Sequence, residues 1–127
     1  MSISCAPRIL IVDDNGAQMR ALCDTLRDQG YETTGFVNAA DALQAMQQSK
    51  FDLLLSDLVM PGMDGIALIA AAAKIDRDLA CIIMTGRGTI STAVEAMKTG
   101  ALDYLLKPFN IGVALPMLKR ALEIRRL

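Results

Sequence analysis

The 127-residue sequence contains no histidine and no tryptophan. Without histidine, the chain itself can hold no Ser-His-Asp triad, no histidine metal site and no phosphohistidine relay residue. The three cysteines, Cys5, Cys23 and Cys81, are odd in number, far apart and never form a CxxC pair. They read as small core residues of a protein kept in a reducing cytosol. Net charge is −1, from 13 basic and 14 acidic residues. That leaves no overall electrostatic footprint for nucleic acid, and direct nucleic-acid binding is not expected. Long apolar runs are also missing. The longest, Gly65 to Ala73, falls far short of the ~20 residues a bilayer span needs. Met1 to Pro7 is too short for a secretory leader and lacks its apolar core. A cytoplasmic location without membrane contact is expected.

The composition, 53% hydrophobic and 21% charged, is that of a folded protein. Its length suits one domain, taken as residues 1–127. Along the chain, apolar runs alternate with helical periodicity. Arg8 to Val12 reads as a strand, followed by Met19, Leu22, Cys23 and Leu26 at helical spacing, with Gly30 ending the helix. Tyr31 to Val37 is a second strand. Asn38 caps a helix with Ala42, Leu43 and Met46 inward. Phe51 to Ser56 is a third strand, and Asp64 caps a helix over 65–74 with Ile66, Ile69 and Ala73 inward. Leu79 to Met84 is a fourth strand. Ile90, Val94 and Met97 mark the next helix, which Gly100 ends. Asp103 to Lys107 is a fifth strand, and Asn110 caps a last helix with Leu115, Leu118 and Leu122 as its stripe. Pro116 conflicts with that helix, since an interior proline removes a hydrogen bond. A kink there, or a helix starting near Leu115, is expected; Gly112 weakens the same turn. Five βα units in this order predict an α/β fold, a doubly wound parallel sheet with helices on both faces.

Four of the strands end in polar groups at one sheet edge: Asp13 and Asp14, Asp57, Thr85, and Lys107. Ligands bind at that edge in open parallel sheets. Clustered carboxylates raise each other's pKa, and a hard dication relieves the repulsion. Mg2+ takes oxygen ligands, needs few carboxylates and keeps room for phosphate oxygens. Lys107 adds a point charge, and Thr85 a hydroxyl. An aspartate nucleophile with such neighbours suits phosphoryl transfer through an aspartyl phosphate.

The ordered set Asp13-Asp14, Asp57-Leu-Val-Met-Pro-Gly-Met-Asp-Gly65, Met84-Thr85-Gly86 and Asp103-Tyr104-Leu-Leu-Lys107-Pro108-Phe109 resembles the receiver domain of bacterial two-component response regulators. The likeness runs from Ile9 to about Arg125, and the stretch from Thr85 to Phe109 is most similar to nitrogen-regulation or nodulation-type receivers. The resemblance implies a CheY-like, flavodoxin-like (βα)5 three-layer sandwich with strand order 2-1-3-4-5. By it, Asp57 accepts a phosphoryl group from a sensor histidine kinase. Asp13, Asp14, Asp57 and the Val59 backbone carbonyl hold Mg2+. Lys107, across a cis peptide to Pro108, and Thr85 contact the phosphoryl group. Thr85 and Tyr104 form the switch that reshapes the face of helix four, strand five and helix five, for an output domain or a homodimer. Such a domain catalyses only its own phosphorylation and slow dephosphorylation and is not an enzyme in the usual sense. Val59 and Arg87 stand where side chains flank the path of the hydrolytic water, so phosphoryl lifetime is expected to differ.

Two other readings stand beside this one. Met84-Thr-Gly-Arg-Gly-Thr89 has some character of a phosphate loop, as in a flavodoxin-like flavin or nucleotide binder, yet two tyrosines and three phenylalanines are few to sandwich a ring. A phosphohydrolase with an aspartate nucleophile needs an acid two residues after Asp57, where Val59 stands.

Overall fold

Strands apolar on both faces belong in the middle of a sheet, and three of the five have that character. The computed structural model describes residues 6–126, with side chains up to Ile124; Cys5 lies outside the described residues. The strands are β1 (Arg8–Val12), β2 (Glu32–Phe36), β3 (Leu53–Asp57), β4 (Ala80–Thr85) and β5 (Asp103–Leu106), all parallel, in the order β2-β1-β3-β4-β5. The helices are α1 (Gly16–Asp28), α2 (Ala39–Gln48), α3 (Gly65–Ile75), α4 (Ile90–Thr99) and α5 (Ile111–Arg126). This is the expected doubly wound α/β sandwich. Among the described residues no helix is long and apolar enough to cross a membrane.

Alternation along the central strands splits the core in two. Ile9, Ile11, Leu53, Leu55, Ile82 and Met84 face α1 and α5. Leu10, Val12, Leu54, Cys81 and Ile83 face α2, α3 and α4. Caps start the helices. Asn38 and Asp64 accept amide hydrogens from Asp41 and Ala67, as expected, and Asn110 Oδ1 accepts from Val113. Asn15 caps α1 through Gln18. Gly30 and Gly100 take positive φ at the helix ends, the region other residues avoid.

The structure corrects two expectations, on the inner face of α3 and the start of α5, and adds the direction of the α4 stripe. On α3 the buried residues are Gly65, Leu68, Ile69 and Ala72; Ile66 is half-buried and packs against the core, but Ala73, expected inward, faces solvent. The helix is apolar nearly all round, so composition did not locate its inner stripe. On α4 the periodic residues Ile90, Val94 and Met97 lie outward, at 86%, 46% and 41% exposure, and only Ala96 is buried. A small side chain brings that helix against its neighbours. Finally, α5 does not begin near Leu115. It starts at Ile111 under the Asn110 cap and runs through Pro116, burying Ala114, Leu118, Ala121 and Leu122. Pro116 is exposed, and the carbonyl it leaves without a helical donor is that of Gly112, four residues earlier.

Candidate functional site

Register decides which strand ends meet. Val12 pairs with Ser56, Asp57 with Met84, and Thr85 with Leu106. The residues that follow therefore come level at one edge: Asp13 and Asp14 after β1, Asp57 closing β3, Lys107 after β5. One carboxylate oxygen each from Asp13, Asp14 and Asp57 lies within 4.8 Å of the others. Asp13 is buried at 2% exposure, Asp14 is exposed and Asp57 lies between.

Lys107 completes the cluster. Its Nζ donates to Asp13 Oδ2 at 2.6 Å and to Gln18 Oε1 at 3.2 Å, and it lies 3.5 Å from Asp57 Oδ2. The Lys107–Pro108 peptide is cis, as expected. The second oxygen of Asp13 accepts the Asn15 amide at 3.0 Å, which fixes that carboxylate against the start of α1. Burial pushes the Asp57 carboxyl above the ordinary aspartate range; Lys107 opposes the rise, Asp13 adds to it, the Leu58 amide opposes it, and Asp14 adds to it. Three carboxylates thus share one ammonium. These are hard, acceptor-only oxygens gathered at one point, a donor set that fits a small divalent cation such as Mg2+.

Not every expected residue touches this cluster. The Thr85 hydroxyl, 1% exposed, accepts the Arg87 amide at 3.1 Å. Its carbonyl accepts the Lys107 amide at 2.8 Å, tying β4 to the lysine. Tyr104 is half-buried against the Leu10 and Ile83 side of the sheet, with its hydroxyl 3.0 Å from Thr92 Oγ1. Val59 sits on the β3–α3 loop with its side chain 61% exposed. Beside Lys107 a cleft of about 590 Å3 opens between α1 and the β5–α5 loop, walled by Ala21, Leu22, Pro108 and Phe109.

Sequence reasoning missed Gln18, Thr92 and the close fit of Gly65. A Cβ on Gly65 would collide with the Asp57 carbonyl oxygen and lie 2.9 Å from Ile83 Cδ1. Thr89 carried a usable N-cap signal, but Thr92 stands where the capping-box signature has Glu or Gln. Gln18 carried none, being one of several polar residues along α1.

A family model described as the response regulator receiver domain matches residues 9–119. The chain belongs to the response regulator receiver family. It is a regulatory domain of two-component phosphorylation signalling, and its fold is that of CheY-like receivers. It is 37% identical over 125 residues to the C4-dicarboxylate transport transcriptional regulatory protein DctD of Rhizobium meliloti (strain 1021), across 98% of this chain and 27% of that protein. It spans about a quarter of that relative's length. Its fold matches a CheY-like receiver domain protein from Methanospirillum hungatei JF-1 with a TM-score of 0.90 and 30% identity, over 95% and 97% of the two chains. It also matches the beryllofluoride-activated NtrC4 receiver domain dimer, with a TM-score of 0.88 and 31% identity, over 93% and 98%.

Proposed function

We propose that residues 1–127 act as one receiver unit that accepts a phosphoryl group on Asp57 from a phosphohistidine of a sensor kinase. The observation that carries this reading is the meeting of Asp57 with Asp13, Asp14 and Lys107 at the carboxyl ends of parallel strands. Asp13, Asp14 and Asp57, with the Val59 carbonyl as a further oxygen donor, are the residues that would hold Mg2+. Bound there, the ion would neutralise the carboxylates and the incoming phosphoryl oxygens. The chain's own groups do the rest. An Asp57 oxygen attacks phosphorus, a P–O bond forms as the donor's P–N bond breaks, and the departing imidazole keeps its proton. Lys107 Nζ, 3.5 Å from Asp57, is within reach of a phosphoryl oxygen. The apolar cleft between α1 and the β5–α5 loop gives the kinase a surface to dock beside the acceptor. The site has no acid two residues beyond Asp57 to hasten hydrolysis, which supports a signalling state over sustained turnover.

The reading of the output follows from charge and exposed surface. The phosphoryl group adds about −1.5 to −2 charge and strong acceptors. The Thr85 hydroxyl turns toward them, leaving the Arg87 amide, and Tyr104 moves inward behind it. The surface that changes is apolar: Ile90, Val94, Met97, Leu106 and Val113 are all exposed there. A second copy of the chain or an output domain would cover it. A cytoplasmic setting goes with a kinase donor.

The test combines intact mass with amide exchange. With Mg2+ and phosphoramidate, the wild type gains one phosphoryl group and Asp57→Asn gains none. Thr85→Ala still gains it but shows little change in exchange at α4. An adduct of equal yield on Asp57→Asn refutes the acceptor, and a wild-type response in Thr85→Ala refutes the coupling.

A further inference from the structure

Tyr104 is held at two points. Its ring lies over Gly88, where a Cβ would come within 3.0 Å of Cε2 and 3.1 Å of the hydroxyl. Its hydroxyl lies 3.0 Å from Thr92 Oγ1. Thr92 is also half of the cap of α4. Its amide donates to Thr89 Oγ1 at 3.0 Å, and the Thr89 amide donates to Thr92 Oγ1 at 3.1 Å.

Counting hydrogens gives the direction of the tyrosine bond. A threonine hydroxyl has one proton and two lone pairs. The Thr92 proton goes to the Thr89 carbonyl at 3.0 Å, and one lone pair takes the Thr89 amide. Two hydroxyls lie 3.0 Å from the oxygen and compete for the remaining lone pair, those of Thr89 and Tyr104; with the Thr89 hydrogen turned to water, the lone pair takes the proton of the Tyr104 phenol. Thr89 is exposed, so its own hydroxyl hydrogen can turn to water.

We infer that Thr92 is a positioning residue for the phosphorylation switch: its hydroxyl ties the Tyr104 side chain to the first turn of α4, so that neither moves alone. This rests on the receiver reading above and adds a residue to it. The same short loop carries the other contacts in series. Thr85 Oγ1 accepts the Arg87 amide at its start, Gly88 meets the Tyr104 ring in its middle, and Thr89 and Thr92 close it on α4. When Thr85 releases the Arg87 amide, the floor under the ring loosens. The Thr92 bond is then the remaining restraint on the tyrosine.

The test is amide exchange on the unphosphorylated chain for wild type, Tyr104→Phe, Thr92→Val, Thr92→Ser and the Tyr104→Phe/Thr92→Val double variant. Tyr104→Phe leaves both capping bonds in place, yet is expected to speed exchange at Thr92, Ala93 and Val94 by about two- to tenfold, the net worth of one hydrogen bond. Thr92→Val speeds it further, because the half of the cap that the Thr92 hydroxyl supplies to the Thr89 amide goes too, while the position-92 amide keeps its bond to Thr89 Oγ1. Thr92→Ser keeps wild-type exchange, and the double variant is no faster than Thr92→Val. Wild-type exchange in Tyr104→Phe, or effects that simply multiply in the double variant, would overturn the proposal. If Thr92→Val does not fold, Tyr104→Phe against Thr92→Ser still decides. Phosphoryl uptake, measured on the same proteins, separates the two claims. Loss of the adduct from wild type removes the receiver chemistry without touching the exchange comparison. A normal adduct with unaltered Tyr104→Phe exchange removes only the role of Thr92.

Discussion

Lys107 gives its shortest bond, 2.6 Å, to Asp13 and not to the proposed acceptor Asp57, from which it stands 3.5 Å away. Asp13 is nearly buried, and the lysine is its neutralising partner. Removing that ammonium strands a desolvated carboxylate beside two others. Lys107→Met is expected to cost about 3 kcal/mol in chelator, the scale for breaking a buried pair. Mg2+ should restore more stability to the variant than it adds to the wild type, since the cation replaces the missing charge. Urea unfolding with and without Mg2+ checks this; a loss near zero would mark the pair as a surface contact.

Asp57 carries the opposite sign. Burial raises its pKa, so the folded chain holds that proton more tightly than the unfolded chain. Stability is therefore lost as pH rises from the unfolded aspartate value through the raised folded one, and above that window the ionised group is a standing cost. In chelator at neutral pH, Asp57→Asn should melt higher than wild type. The gap should close as pH falls below the ordinary aspartate range. A lower melting point for Asp57→Asn at neutral pH would contradict the sign.

Much of this site was legible because buried parallel strands announce themselves. β1, β3 and β4 are apolar almost to the point where each leaves the sheet, so Asp13, the Ser56-Asp57 pair and Thr85 stood out by contrast. Asn38, Asp64 and Asn110 were readable as caps for a local reason: the side chain bonds a backbone amide three residues on. What could not be read depends on packing between segments. Periodicity shows that Ile90, Val94 and Met97 share a face, not which way it points; Ala96 decides that. No pattern in the sequence tells that Lys107 prefers Asp13, or that Tyr104 reaches Thr92 twelve residues earlier.

Gly65 offers a positional test. Its missing Cβ makes room for the Asp57 carbonyl. Gly65→Ala should cost about 1–3 kcal/mol, as overpacking does, and should slow phosphorylation by displacing the acceptor. Gly35→Ala is the control. There the new Cβ would strike Met19 Sδ and Cys23 Sγ, so stability should fall with phosphorylation of the folded fraction unchanged. Equal phosphorylation rates for the folded fractions of both variants would contradict a positioning effect at Gly65.

Pro116 should be replaceable at a gain. It is exposed inside α5, and its missing N–H leaves the Gly112 carbonyl without its helical partner. Pro116→Ala is expected to raise stability by about 1–3 kcal/mol, the upper end being the interior proline penalty. Thermal and urea unfolding check it, and an unchanged midpoint would show that the helix bends around the proline without strain.

Chemical trapping reads the acceptor directly. An aspartyl phosphate is an acyl phosphate, and borohydride reduces it to homoserine while leaving free carboxylates alone. After incubation with Mg2+ and phosphoramidate, reduction and peptide mass mapping should find homoserine at position 57 and nowhere else. Homoserine at position 13 or 14 would contradict the assignment, as would a phosphoryl adduct that survives reduction on a threonine or serine.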